Sequence, residues 1–248
     1  SCRPDHFKML ISYNHKFIFF KPLKSAGSSV EYSLLQSCGE HALCTGYTPG
    51  KTLRGYADIN NKFMEDGEEK SRFNSHTWPG LFFERILDLN RWEHYRKITM
   101  VRNPWDTAVS WYWWSLRFAD KSHPLKIDKR DSLLTAQEKF ENFLNLSADL
   151  DSIRPETLTI NCTLLDYISV NENFIDSSID EYIRFESLQD DYDKICRKLS
   201  LEKRKLVHFK AGQRKLKQHY SYYYNDASRD AVAASFPLTI RKFKYTFL

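Results

Sequence analysis

One stretch near the N-terminus combines a strand pattern, a loop of small residues and a helical pattern in immediate succession. The apolar run from Phe17 to Phe20 predicts a buried strand, and the apolar spacing from Val30 to Leu35 predicts a helix. Between them lies a loop of mostly small residues, Pro22 to Ser29. Such a loop brings free backbone N–H groups and the positive end of a helix dipole to one point. The sequence therefore predicts a phosphate-binding loop after this strand.

Strand and helix patterns alternate along the rest of the chain. Further strands are predicted at 97–101 and 181–186. Helices are predicted at 81–89, from the Asn103 N-cap to about Phe118, and at 135–146, 190–199 and 226–236. The alternation predicts an α/β fold, P-loop-like and three-layered, with a central mainly parallel sheet flanked by helices. We expect a single domain over residues 1–248.

Two loops that follow strands in this fold are expected to lie at one edge of the sheet. They run from Lys21 to Ser29 and from Arg102 to Ser110. Ligands of such sheets bind beyond the carboxyl ends of the strands. The two loops are therefore the candidate binding elements.

Composition limits the classes of partner and compartment. The net charge of +5, from 37 basic and 32 acidic residues, suits an anionic ligand and falls short of a nucleic-acid-binding coat. No apolar run approaches the roughly 20 residues of a membrane span, so the chain is expected to be soluble as given. The chain begins with Ser1, so the sequence leaves open that an anchor was trimmed. The expected compartment is the cytoplasm if the protein is microbial, and the Golgi lumen if an anchor was trimmed. The oligomeric state is also open.

Five cysteines lack zinc-site spacing and are expected to be free thiols, with a Cys38–Cys44 pairing left open.

The order of charged and small residues in the loop argues against a nucleoside triphosphatase. That class shows GxxxxGK[ST], with the lysine after the glycines and a metal-binding hydroxyl behind it. Here Lys24 precedes Gly27, and the second strand leads into Arg102 rather than an aspartate. We therefore predict a site that neutralises its anion with lysine and arginine and binds no metal.

Four segments in order resemble the sulfotransferases that use 3'-phosphoadenosine 5'-phosphosulfate, and most closely the carbohydrate O-sulfotransferase branch. Residues 22–29 resemble the 5'-phosphosulfate loop of the family, commonly PKTGGTS, with Leu23 and Ala26 as departures. The other three similar segments are the 3'-phosphate element at 101–112, a strand-to-helix segment at 183–192 and the C-terminal segment at 219–247.

The resemblance implies a role for each matching residue. Lys24 would stabilise the charge that develops on the leaving group, and Arg102 with Ser110 would hold the 3'-phosphate. Taken without the family, each of the last two keeps a second interpretation: Arg102 as half of a structural ion pair, and Ser110 as a helix serine that packs or bonds back to its own helix. The remaining residues of the 5'-phosphosulfate loop that would bind the co-substrate are Ser25, Ala26, Gly27, Ser28 and Ser29. His76 is the candidate base, with Glu31 as a less favoured one that is more simply a first-turn charge on its helix.

Three further features keep more than one interpretation. Phe185 either stacks on the adenine of the co-substrate or packs in the strand core. The aromatic run Trp111 to Trp114 either forms core or lines a substrate cleft, with core as the default. The basic segment Lys210 to Lys217 is a lid over the phosphates of the co-substrate, a strip that attracts an acidic acceptor, or a plain solvated face, and the last is the default. Lys210 departs from the family pattern.

The resemblance implies transfer of a sulfuryl group from 3'-phosphoadenosine 5'-phosphosulfate to a hydroxyl, or to an amine, of a carbohydrate or another small hydroxylated molecule. No nucleic acid partner is expected. Two alternatives stay open at this point: a P-loop kinase, and a non-catalytic module that binds a nucleotide or polyanion.

Overall fold

The structure is a computed structural model that describes residues 8–38, 42–44, 93–117, 119, 122–145, 147–149, 159–175, 178–207 and 214–248. In chain order its elements are β1 (Lys8–Ser12), β2 (Phe17–Lys21), α1 (Gly27–Cys38), β3 (Ala42–Cys44), β4 (Arg96–Val101), α2 (Pro104–Ser115), α3 (Leu133–Asn145), β5 (Ser147–Asp149), β6 (Thr159–Thr163), α4 (Leu164–Ser169), β7 (Glu181–Arg184), α5 (Leu188–Lys198), α6 (Asp226–Ser235) and α7 (Pro237–Phe243). Short 3₁₀ segments lie at Val170–Phe174, Phe185–Ser187 and Tyr220–Tyr223.

The chain forms two compact units that are interleaved in sequence. The described residues up to Val101, together with those from 178 to 207, form the sheet unit. The described residues from Arg102 to Ile175 and from Arg214 onward form the helical unit.

The sheet unit is built on five strands in the order β3-β1-β2-β4-β7. β2, β4 and β7 are parallel neighbours, whereas β1 runs antiparallel to both β2 and β3. Four of the five strands therefore point the same way, which makes the sheet mixed and mostly parallel, as predicted. The sequence did not predict β1 or β3. Because β2 and β4 are parallel neighbours, Lys21 and Val101 end their strands at the same edge.

One face of this sheet carries a continuous apolar core. Alternate strand residues such as Phe19 and Met100 pack with Leu34 of α1 and Ile195 of α5. All four residues of the run Phe17 to Phe20 are buried, as expected for a strand covered on both faces. Cys38 and Cys196 are free thiols in this unit, so the Cys38–Cys44 pairing left open by the sequence is not formed.

The helical unit packs around aromatic side chains of α2. Tyr112 is fully buried, with ring centroids 5.0 Å from Phe143 and 5.6 Å from Phe140. Its hydroxyl donates to the Leu125 carbonyl at 2.6 Å and accepts the Ile127 N–H at 2.8 Å. Trp111 and Trp113 are buried too, at 5% and 3% exposure, so the core interpretation of this run is confirmed for them. β5 and β6 pair as a separate antiparallel ribbon.

Most predicted helices lie within two residues of their observed bounds. α2, however, ends at Ser115 rather than near Phe118. Four further elements were not predicted: α4, α7, β5 and β6. The third predicted strand ends at Arg184 rather than Glu186. The cause is Asp191, whose carboxylate accepts the N–H of Arg184 at 3.1 Å and so turns the backbone into a 3₁₀ segment.

The predicted helix at 81–89 lies outside the described residues. In the part of the chain that the structure describes, no helix combines the length and apolar character needed to cross a membrane.

Candidate active site

The loop between β2 and α1 contains two residues with positive φ angles and is held by two hydrogen bonds. Lys24 and Ala26 adopt positive φ angles of 58° and 65° on either side of Ser25. The Ser25 side chain is buried, and its hydroxyl donates to the Pro22 carbonyl at 3.1 Å. The Ser29 N–H donates to the Ala26 carbonyl at 3.0 Å, which closes the loop onto the helix start. Positive φ at Lys24 and Ala26, but not at Ser25 between them, turns successive N–H groups toward one point. Such an arrangement forms a concave anion-binding site.

Ala26 has a positive φ angle, a backbone conformation that glycine adopts more easily than alanine. A residue with a Cβ loses roughly 1–2 kcal/mol in the left-handed region, whereas glycine adopts it without that cost. The sulfotransferase loop pattern has glycine where this chain has Ala26. The positive φ at this position explains why glycine suits it. The loop thus holds two non-glycine residues, Lys24 and Ala26, in a conformation that the surrounding structure must enforce.

Behind the loop, a buried ion pair fixes the start of α1. Lys21 at the end of β2 pairs with Glu31, and their side chains are 12% and 0% exposed. Gly27 lies against this lysine, since a Cβ there would lie only 2.5 Å from Lys21 Cγ. The prediction that Glu31 is a first-turn charge is wrong: α1 begins at Gly27, its first turn contains no acidic residue, and Glu31 pairs inside the fold.

The second candidate element begins where β4 ends. Asn103 caps α2, its side-chain oxygen accepting the N–H groups of Trp105 at 3.0 Å and Asp106 at 3.3 Å. Pro104 occupies the first helical position and Asp106 the first turn. All three assignments confirm the sequence prediction, and they place Arg102 directly before the helix cap.

Asp106 joins two arginines. Its Oδ2 accepts Nε of Arg102 at 2.8 Å and Nη2 of Arg102 at 2.6 Å, while its Oδ1 accepts Nη2 of Arg214 at 2.5 Å. Burial by itself would raise the pKa of Asp106, but Arg102 and Arg214 outweigh it and hold that pKa below its ordinary value. The carboxylate is therefore ionised at neutral pH, and the three side chains together carry one net positive charge.

The other two predicted cofactor residues lie in different units. Ser110 is half-buried on α2, one turn after Asp106, so it shares a helix face with that carboxylate. Phe185 belongs to the sheet unit and is half-buried in the 3₁₀ segment that follows β7. Its predicted alternative as a strand-core residue is wrong, because the strand ends one residue earlier.

Comparison with known proteins decides the family. The family model described as "Sulfotransferase family" matches residues 7–243. The chain belongs to the sulfotransferase family. It is accordingly a transferase that acts on sulfuryl groups. No curated protein and no solved structure matches it.

Two predicted features of this sulfotransferase lie wholly or partly outside the described residues. One is His76, the predicted base; the other is the part of the basic segment from Lys210 to residue 213. Within the described ranges no group of three or more His, Cys, Asp or Glu side chains is arranged to hold a metal ion.

Sequence reasoning missed the link between Arg214 and Asp106. Arg214 was placed only in a basic strip, although Arg102 and Asp106 have the four-residue spacing of a helical ion pair. That spacing is a local signal for the pair of Arg102 with Asp106. Arg214 and Asp106 are 108 residues apart in sequence, and the pattern of a single sequence does not predict such a pair.

Proposed function

We propose that this sulfotransferase moves a sulfuryl group from 3'-phosphoadenosine 5'-phosphosulfate to an acceptor hydroxyl or amine by in-line displacement. The observation that carries the proposal is the loop at Lys24: a strand end, two left-handed residues and a helix start in succession, with the lysine before the glycine. The family match over residues 7–243 takes in both units, which supports one sulfotransferase domain over 1–248 and a P-loop-like three-layer fold.

Lys24 is the residue to which we assign leaving-group stabilisation. The acceptor oxygen attacks sulfur, the bond between sulfur and the bridging oxygen breaks, and the 5'-phosphate leaves with that electron pair. Negative charge grows on the bridging oxygen as the bond lengthens. A lysine fixed there stabilises the transition state more than the ground state.

The rest of the loop would bind the 5'-phosphate through backbone N–H groups and hydroxyls at the positive end of α1. The Ser25 hydroxyl already donates to the Pro22 carbonyl, so its contribution would come from its backbone N–H. Ser28 and Ser29 follow on the first turn of α1. Because this turn contains no acidic residue, no side-chain carboxylate of the turn would repel a phosphate at the positive end of the helix.

Arg102 and Ser110 would hold the 3'-phosphate, which distinguishes this nucleotide from ordinary adenylates. A guanidinium presents N–H donors in a planar fork that matches phosphate oxygens. Phe185 would stack on the adenine, and the half-buried side chain of this residue is consistent with that use.

His76 is the proposed base that takes the proton of the acceptor. An unperturbed imidazole titrates near 6.5, which suits proton uptake at neutral pH. The acceptor class that we propose is a carbohydrate or another small hydroxylated molecule. Fixed cations supply the charge stabilisation, so the reaction requires no metal.

A labelled-sulfate transfer screen tests the proposal. The purified chain is given the labelled donor with carbohydrate, peptide-tyrosine, lipid and small-alcohol acceptors, each with and without a chelator. We expect label on at least one acceptor, with a rate that the chelator leaves unchanged. Magnesium-dependent phosphate transfer from ATP would favour a kinase instead, and salt-sensitive heparin binding without turnover would favour a non-catalytic module.

A further inference from the structure

The carboxylate of Asp106 occupies a place between two guanidinium groups from distant parts of the chain. Arg102 directly precedes the α2 cap, whereas Arg214 begins the last described segment. Each arginine bonds to a different oxygen of Asp106. The side chains of Arg102, Asp106 and Arg214 are 11%, 17% and 27% exposed, so water screens the cluster only partly.

The position of Asp106 is itself fixed by the helix. Its backbone N–H is bonded to the side chain of Asn103, and it lies in the first turn of α2. Arg102 and Ser110 stand four residues before and after it. Asp106 is thus one helical turn before Ser110 on α2 and bonds directly to Arg102, so it lies beside both proposed 3'-phosphate residues.

The bonding pattern sets orientation as well as charge. A guanidinium has five N–H donors in a rigid plane. A carboxylate bonded along one edge of Arg102, through both Nε and Nη2, therefore fixes the plane in which its opposite edge lies. Without the carboxylate, two positive groups would face one another and repel.

We propose that Asp106 is a positioning residue that aligns Arg102 and Arg214 for the 3'-phosphate of the nucleotide. This inference rests on the proposed function and adds Asp106 and Arg214 to the 3'-phosphate site.

The sign of one mutation separates positioning from simple charge balance. Asp106→Asn raises the net charge of the cluster from one positive charge to two, so charge alone predicts tighter binding of an anion. Positioning predicts the opposite, because the guanidiniums lose their alignment. We expect roughly ten- to hundredfold weaker binding of adenosine 3',5'-bisphosphate, the scale of effect that misplaced groups produce.

Calorimetric titration with adenosine 3',5'-bisphosphate and with 5'-AMP is the test. Wild type should prefer the bisphosphate, and Asp106→Asn should lose most of that preference while its affinity for 5'-AMP stays unchanged. General damage to the fold would instead weaken both ligands. Asp106→Glu, which keeps the charge, should recover part of the preference.

Asp106→Glu keeps the test available if Asp106→Asn does not fold, because it preserves the net charge and moves only the carboxylate: positioning predicts a partial loss of the preference, and charge balance predicts none. Arg214→Gln tests the second arginine, the most exposed member of the cluster, and should weaken the bisphosphate and leave 5'-AMP unchanged. A full wild-type preference in Asp106→Asn or in Asp106→Glu would overturn the positioning role and leave the proposed function standing. Equal affinity of wild type for the two nucleotides would overturn both.

Discussion

Replacing Gly27 with alanine tests how the start of α1 is held against β2. A Cβ at this position would lie 2.5 Å from Lys21 Cγ, whereas ordinary contacts begin at 3.4 Å, so Cγ must move by about 0.9 Å. Cγ is close to the strand backbone and cannot swing aside as a side-chain tip does. The displacement therefore reaches the ammonium group and its buried pair with Glu31.

The magnitude follows from the two opposing effects. Removing one partner of a buried ion pair costs about 3–5 kcal/mol, so displacing Lys21 from Glu31 costs up to that amount. Alanine gains about 0.5–1 kcal/mol over glycine in a helix interior, and less at Gly27, the first residue of α1. We predict that Gly27→Ala lowers the free energy of unfolding by about 2–4 kcal/mol.

Urea denaturation measures this loss, with Ser28→Ala as the matched control. Position 28 already carries a Cβ, so its mutation should change stability by about 0.5 kcal/mol or less. A second comparison uses a Lys21→Ala/Glu31→Met background, which removes both the clashing atom and the ion pair. Gly27→Ala should cost almost nothing there. An equal loss in both backgrounds, or a gain of stability in wild type, would refute the steric reasoning.

Three further predictions concern the cores and the arginine cluster. Tyr112→Phe removes a buried hydroxyl that serves both Leu125 and Ile127, and it should lower the free energy of unfolding by about 1–3 kcal/mol in urea; no measurable loss would contradict this hydrogen-bond assignment. Burial raises the pKa of Cys38 to about 11, so iodoacetamide at pH 8 should modify this thiol only on unfolding, and peptide mass spectrometry that finds fast native labelling would contradict its burial. The pKa of Asp106 is held below its ordinary 3.8, so its contribution is fully present above that value and is lost as pH falls through the lower folded pKa. The difference in unfolding free energy between wild type and Asp106→Asn should therefore shrink as the pH falls below 3.8, and a difference that grows would contradict the sign.

The sequence predicts best where local physics decides the structure. Four consecutive apolar residues from Phe17 to Phe20 indicate a buried strand whatever lies around it. The Asn103 cap followed by Pro104 specifies a helix start through hydrogen bonds confined to one turn. Both predictions are confirmed.

Predictions fail where a partner farther along the chain decides the outcome. The strand pattern continues through Phe185, but the carboxylate of Asp191 takes the N–H of Arg184 and ends the strand. Glu31 looks like a charge for the helix dipole until the buried Lys21 is known to face it. The pairing of Asp106 with Arg214 depends on the tertiary fold alone.

The loop conformation at Lys24 could be predicted from the sequence only in part. A lysine in a sequence does not predict a positive φ angle. The family pattern has glycine at the position of Ala26, and that glycine does indicate a position with positive φ. The resemblance identified the loop, and the structure adds its conformation.

The most direct test of the central claim is the rate of labelled-sulfate transfer by Lys24→Ala, compared with Lys16→Ala. The two lysines make a matched pair, since both have positive φ, of 58° for Lys24 and 49° for Lys16; Lys16 directly precedes β2, and Lys24 lies in the loop after it. If Lys24 stabilises the leaving group, its loss should lower turnover by about 10²–10³-fold while the protein stays folded. Lys16→Ala should transfer sulfate at the wild-type rate. Undiminished transfer by Lys24→Ala would contradict the account.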